Sequence, residues 1–191
     1  YIAGRPLTAL IDRNRPQSQR SVAKIVRKLA PAHETDQQAG IIHRDLKTAN
    51  VILDQQNEPV ITDFGLARQL SEDDTSRLTQ SGSIMGSPAY MSPEQVNGDI
   101  DVIGPPSDIY SLGVFLYEFL TCEVPFDGPA VAVLGQILTQ EPQKPSTFRA
   151  DLDPKLEAIC LKMMARQIDD RYRTMREAAA TLSDFLKNRS A

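Results

Sequence analysis

Apolar residues at Val22, Ile25, Val26, Leu29 and Ala30 follow the three-then-four spacing of one helix face, predicting a helix that begins between Pro16 and Ser21. That face then meets Pro31. A proline inside a helix lacks the N–H for the backbone ladder, and its ring clashes with the preceding turn. Two outcomes follow: a kinked helix that runs on, or a helix that ends there and leaves Thr35 to Gly40 as a loop. Further on, Val51-Ile52-Leu53 and Val60-Ile61-Thr62 read as short strands, and the polar stretch from Asp54 to Pro59 between them has hairpin length. From Gly65 to Met91 the chain is polar and rich in Ser and Thr, a long loop with little to bury. Ile109 to Leu120 is apolar on most sides apart from Ser111 and Glu118, which predicts a central helix buried all round. Leu156, Ile159, Cys160, Met163 and Met164 form another helical stripe, and Met175, Ala178, Leu182 and Phe185 a third, ending near Asn188. The expected fold class is α+β, predominantly α, with one small β-hairpin.

Composition narrows the chemistry. A chain of 191 residues is one domain's worth, long enough to bury a core. Its 21 Lys+Arg against 25 Asp+Glu leave a net charge of −4, which argues against a chain-wide footprint for nucleic acid or an anionic membrane. No run approaches the roughly 18 apolar residues of a membrane span, and no signal pattern opens the chain. A cytoplasmic setting is expected, with any membrane tether outside this stretch. Cys122 and Cys160 lie far apart inside apolar segments and read as small buried side chains rather than a disulfide or metal pair. With two histidines and no Cys/His cluster, zinc chemistry and hydrolytic triads have little to build with. Tyr1 in place of an initiating Met implies that these residues start inside a longer protein.

What the chain does carry is His43-Arg44-Asp45-Leu46-Lys47-Thr48-Ala49-Asn50, followed by Asp63-Phe64-Gly65 and later by Gly86-Ser87-Pro88-Ala89-Tyr90-Met91-Ser92-Pro93-Glu94-Gln95. Taken singly these are weak, since Asp-Phe-Gly is a common turn tripeptide and an Asn before a strand usually turns the chain. In this order they resemble the C-terminal lobe of a eukaryotic-type Ser/Thr protein kinase of bacterial flavour, and the resemblance runs from Ile2 to Leu186. Phosphoryl transfer to a hydroxyl needs a carboxylate to take the proton and cations to hold charge on the phosphoryl oxygens. The resemblance implies Asp45 as that base and Lys47 as the neutralising cation. It makes Asn50 and Asp63 the oxygen ligands of Mg²⁺ beneath the ATP phosphates, with Ile52 on the apolar floor under adenine. The hairpin brings Asn50 and Asp63 to one end, because one leads into its first strand and the other leaves its second.

Other positions acquire roles from the same resemblance. Residues 63–94 form the activation segment, with Ser87 facing the substrate, and the whole of 1–191 is a partial kinase domain. Glu94 and Arg171 are expected to form a mostly buried ion pair. Asp108 reads by itself as a helix N-cap, and by resemblance as an acceptor of backbone N–H groups from the catalytic loop. His43 is expected to pack beneath Phe64. Thr79, Ser81 and Ser83 sit in a loop that is either simply solvated or a site of regulatory phosphorylation, in which case Arg44 and Arg68 would pair with the phosphate.

Two departures from the family pattern matter. The chain contains no glycine-rich phosphate loop, no strand lysine and no helix glutamate to pair with it, so an N-terminal lobe is expected as a missing partner, alongside protein substrates. Pro31 and residues 32–39 interrupt a helix that is continuous in the family. Lesser departures are Thr48, commonly proline in the family, Ser87, commonly threonine, and Gln167-Ile168, commonly Asp-Pro, and none of them removes a catalytic atom. The leading expectation is an ATP- and Mg²⁺-dependent protein Ser/Thr kinase present as its C-terminal lobe. The alternative is a non-catalytic, kinase-derived binding module.

Overall fold

The computed structural model describes residues 4–14, 16–38, 46–62 and 87–188, with 31–38 by backbone alone. Helix α1 spans Gln19–Gln38. Its stripe of Val22, Ala23, Val26, Leu29 and Ala30 is at most 1% exposed, while Ile25 is half-buried at the margin. The Ser18 hydroxyl accepts the Ser21 N–H at 3.1 Å and so closes one of the open donors of the first turn. The backbone remains helical through Pro31, so residues 35–38 are helix and not loop. The proline is carried by tertiary packing of the preceding turns, which outweighs a lost ladder bond.

The sheet is larger than the hairpin expected from the pattern. Strands β1 (Gly4–Pro6), β2 (Val51–Asp54) and β3 (Pro59–Ile61) pair antiparallel in chain order, with Val51 opposite Ile61 and Pro6 opposite Ile52. β1 has three residues, all exposed, and no alternation for a pattern to reveal. The turn between β2 and β3 is built by Asp54, whose carboxylate accepts the N–H groups of Gln56 and Glu58 at 2.9 and 2.8 Å. Asn57 there takes the left-handed conformation, φ 60°, that short polar side chains tolerate.

Two short-loop helices, α2 (Pro93–Asn97) and the long α3 (Pro105–Thr121), follow. α3 is the centre of the molecule: from Ser107 to Thr121 every residue is buried except Glu118, which is half-buried. α1 lies against it on one side and α5 (Pro154–Met163) on another, and α6 (Met175–Lys187) runs along α1. Gly113 is what allows α5 so close. A β-carbon there would stand 2.7 Å from Met164 Cγ and 2.8 Å from Met163 Cβ. Asp153 and Thr174 cap α5 and α6 by accepting the N–H groups of Lys155 and Glu177. α4 (Ala130–Thr139) buries Val133 and Ile137 with Phe126 in a separate small cluster. Both cysteines are free thiols, Cys160 buried and Cys122 half-buried at the left-handed C-cap of α3. Among the described residues no helix is long and apolar enough to cross a membrane.

Because the helix continues through Pro31, Pro31→Ala restores an N–H that can bond within the ladder. It is expected to stabilise the protein by about 1–3 kcal/mol, read as a raised urea midpoint with unchanged m-value.

Candidate functional site

The strap from Lys47 to Asn50 is shaped by its own backbone. Lys47 is extended, and the residues after it close a 3₁₀ turn, Thr48–Asn50, through an Asn50 N–H bond to the Lys47 carbonyl at 3.0 Å. β2 begins at the next residue. Asn50 is 8% exposed, and its carbonyl accepts both the N–H and the hydroxyl of Thr62, at 2.7 and 3.1 Å. Thr62 directly precedes Asp63, so these two bonds join the strap to the chain entering the Asp-Phe-Gly tripeptide. Lys47 is half-buried, and Ile52 is half-buried on β2 between Pro6 and Val60. His43, Arg44, Asp45, Asp63, Phe64, Arg68, Thr79, Ser81 and Ser83 lie outside the described residues. The Asn50 side chain offers a hard amide oxygen, and a carboxylate at Asp63 would complete an oxygen-only donor set of the kind magnesium prefers. Among the described residues no cluster of His, Cys, Asp and Glu forms a competing metal site.

The segment that begins at Ser87 is fastened to α3. Ser87, half-buried, precedes a 3₁₀ turn over Pro88–Tyr90, and its carbonyl accepts the Tyr90 N–H at 3.0 Å. The Ser111 hydroxyl donates to the Tyr90 carbonyl at 2.8 Å. Tyr90 donates its phenol proton to Glu118, and the Thr48 hydroxyl donates to the same carboxylate oxygen at 2.8 Å. Burial, then the Glu118 charge, pushes the Tyr90 phenol well above its ordinary value, so it remains a proton donor. The sequence pattern marked Thr48 only as a departure from proline and Glu118 only as a polar residue on an apolar helix. An acid in the midst of the apolar run from Ile109 to Leu120 was the available signal, because such a group requires donors.

Glu94 and Arg171 meet in the interior. The guanidinium makes two bonds of 2.8 Å to the two carboxylate oxygens, from Nη1 to Oε1 and from Nη2 to Oε2. Its other donors reach the carbonyls of Ala165, Pro106 and Arg166 at 2.7, 2.9 and 3.1 Å. All five N–H groups are used, and the Tyr110 ring lies 5.1 Å away. Ser107 donates to Glu94 at 2.7 Å. Burial alone would raise the Glu94 carboxyl, but the Arg171 guanidinium more than offsets this and holds it below the usual carboxylate range. Asp108 is buried at 2% exposure in the fourth position of α3, whose N-cap is Gly104. It is therefore not the cap that its place near the helix start predicts.

Residues 1–182 match the protein kinase domain family, and the chain belongs to that family. It is 39% identical over 183 residues to serine/threonine-protein kinase PknB of Mycolicibacterium smegmatis, covering 95% of this chain and 29% of the relative. It is 36% identical over 192 residues to a probable serine/threonine-protein kinase, CE0033, of Corynebacterium efficiens, covering 98% and 29%. A probable serine/threonine-protein kinase of Streptomyces coelicolor, SCO3848, is 36% identical over 178 residues, covering 93% and 26%. The chain thus spans less than a third of the length of these relatives.

Arg171→Met leaves the Glu94 carboxylate buried without its cation and is expected to cost about 3–5 kcal/mol in urea unfolding. The same pair sets an acid limit. A carboxyl depressed in the folded state stabilises it fully above the ordinary value of about 4.5, and that contribution is lost as pH falls through the depressed one. Stability measured from pH 6 downward should fall more steeply in the parent than in Glu94→Gln.

Proposed function

We propose that this chain is the catalytic-loop-bearing C-terminal lobe of an ATP- and Mg²⁺-dependent protein Ser/Thr kinase. The observation that carries the reading is the pair of hydrogen bonds from Thr62 to the Asn50 backbone carbonyl, which ties the residue bearing a buried amide to the residue immediately before Asp63. The names of the relatives, all serine/threonine-protein kinases, support the choice of hydroxyl substrates. The reading calls for an N-terminal lobe carrying a glycine-rich loop and a strand lysine, contributed from outside these residues.

In this scheme Asn50 and Asp63 would hold Mg²⁺, which would neutralise charge at the ATP phosphates. Asp45 receives the proton of the substrate hydroxyl as that oxygen bonds the γ-phosphorus and the bridging bond to ADP breaks. Lys47 lies against the transferred phosphoryl oxygens. Ile52 underlies adenine, and Ser87 lies at the protein substrate. Residues 63–94 act as the activation segment, in which Thr79, Ser81 or Ser83, once phosphorylated, pairs with Arg44 and Arg68. His43 packs beneath Phe64. Asp108 accepts N–H groups of the catalytic loop, while Glu94 and Arg171 anchor the segment's end.

Asp45→Asn in the full-length protein is the test. A base acts in the transition state, so turnover is expected to fall about 10²- to 10⁴-fold with little change in the Michaelis constant for ATP. A parent protein that transfers no phosphate to Ser or Thr would instead favour a kinase-derived binding module.

A further inference from the structure

Thr48 stands where the family commonly has proline, and its hydroxyl is engaged. The side chain is 3% exposed, donates to Glu118 Oε2 at 2.8 Å, and lies 3.2 Å from the Tyr90 hydroxyl. Tyr90 donates to the same carboxylate oxygen. Glu118 is the one charged residue between Ile109 and Cys122, and the one residue from Ser107 to Thr121 that is not fully buried. Three parts of the chain meet at this carboxylate: the strap that carries Lys47 and Asn50, the segment that begins at Ser87, and the central helix. Hydrogen bonds to a carboxylate are about twice as strong as neutral ones, and a part-buried acid depends on the donors it has. A proline in place of Thr48 would contribute no donor to it.

We infer that Thr48 is a positioning residue of the phosphotransfer site. Its hydroxyl, through Glu118, holds the Lys47–Asn50 strap in register with the substrate-facing segment that Tyr90 fastens to the same oxygen. The inference rests on the kinase reading for its effect on turnover, but the tether itself does not. Thr48 acts at a distance of one residue from Lys47 and two from Asn50, and displacements of about an ångström among such groups lower rates by up to roughly a hundredfold.

The experiment compares Thr48→Val, which keeps the shape and deletes the hydroxyl, with Thr48→Ser, which keeps the hydroxyl, in the full-length protein. Two quantities are read: steady-state kinetics on a Ser/Thr peptide, and hydrogen exchange of the Asn50 and Thr62 amides. Thr48→Val is expected to lower kcat roughly ten- to a hundredfold, to leave KM for ATP within about twofold, and to speed exchange at both amides. Thr48→Ser should restore all three. Turnover unchanged in Thr48→Val overturns the inference, as does lost turnover with unchanged exchange or without rescue by serine. If the parent transfers no phosphate, the kinase reading fails and exchange alone decides: faster in Thr48→Val and restored in Thr48→Ser supports the tether, and unchanged overturns it. Thr48→Ala provides a second hydroxyl deletion should the valine variant not fold.

Discussion

A single guanidinium, that of Arg171, holds together parts of the chain that no local rule would join. With its charge removed from water, every one of its five N–H groups requires an acceptor, and the fold supplies two carboxylate oxygens of Glu94 and three backbone carbonyls. Those acceptors come from α2, from the first turn of α3 and from the loop after α5, so satisfying one side chain fixes the relative placement of all three. The residues are 77 positions apart. A buried pair of this kind contributes little net stability compared with an apolar replacement, yet breaking it leaves an uncompensated charge. Its consequence is therefore geometric: it fixes the place of α2, and with it the end of the segment that begins at Ser87.

The same logic recurs at smaller scale along α3. Ser107 donates to Glu94, Ser111 holds the Tyr90 carbonyl, and Glu118 collects the hydroxyls of Tyr90 and Thr48. Ser107, Ser111 and Glu118 lie four and then seven positions apart, one and two helical turns, and so share one face of a largely apolar helix. The helix is thus both the hydrophobic centre and the rail to which the strap and the segment are bolted. On its opposite side Gly113 lets α5 approach to van der Waals contact, where Met163 and Met164 occupy the space a β-carbon would take. Close packing behind the helix keeps the polar attachments in front of it in position.

What the sequence alone determined was the local order. The helical stripes of α1, α5 and α6, the apolar run of α3 and the β2–β3 hairpin are legible in the chain, because burial of one face imposes period 3.6, burial all round leaves a run apolar on most sides, and turn chemistry marks hairpins. The motif order was equally legible, and with it the family, since catalytic-loop and Asp-Phe-Gly residues lie close in the chain. The tertiary structure decided the rest. β1 has three exposed residues and pairs only because β2 offers an edge. α1 runs through Pro31 because packing of its buried face outweighs one missing bond. Asp108 lies inside α3 rather than at its cap, since Gly104 takes that position. Thr48 meets Glu118 across 70 positions. Such contacts arise from a buried polar group finding its partner in three dimensions, a requirement that leaves no period in the sequence.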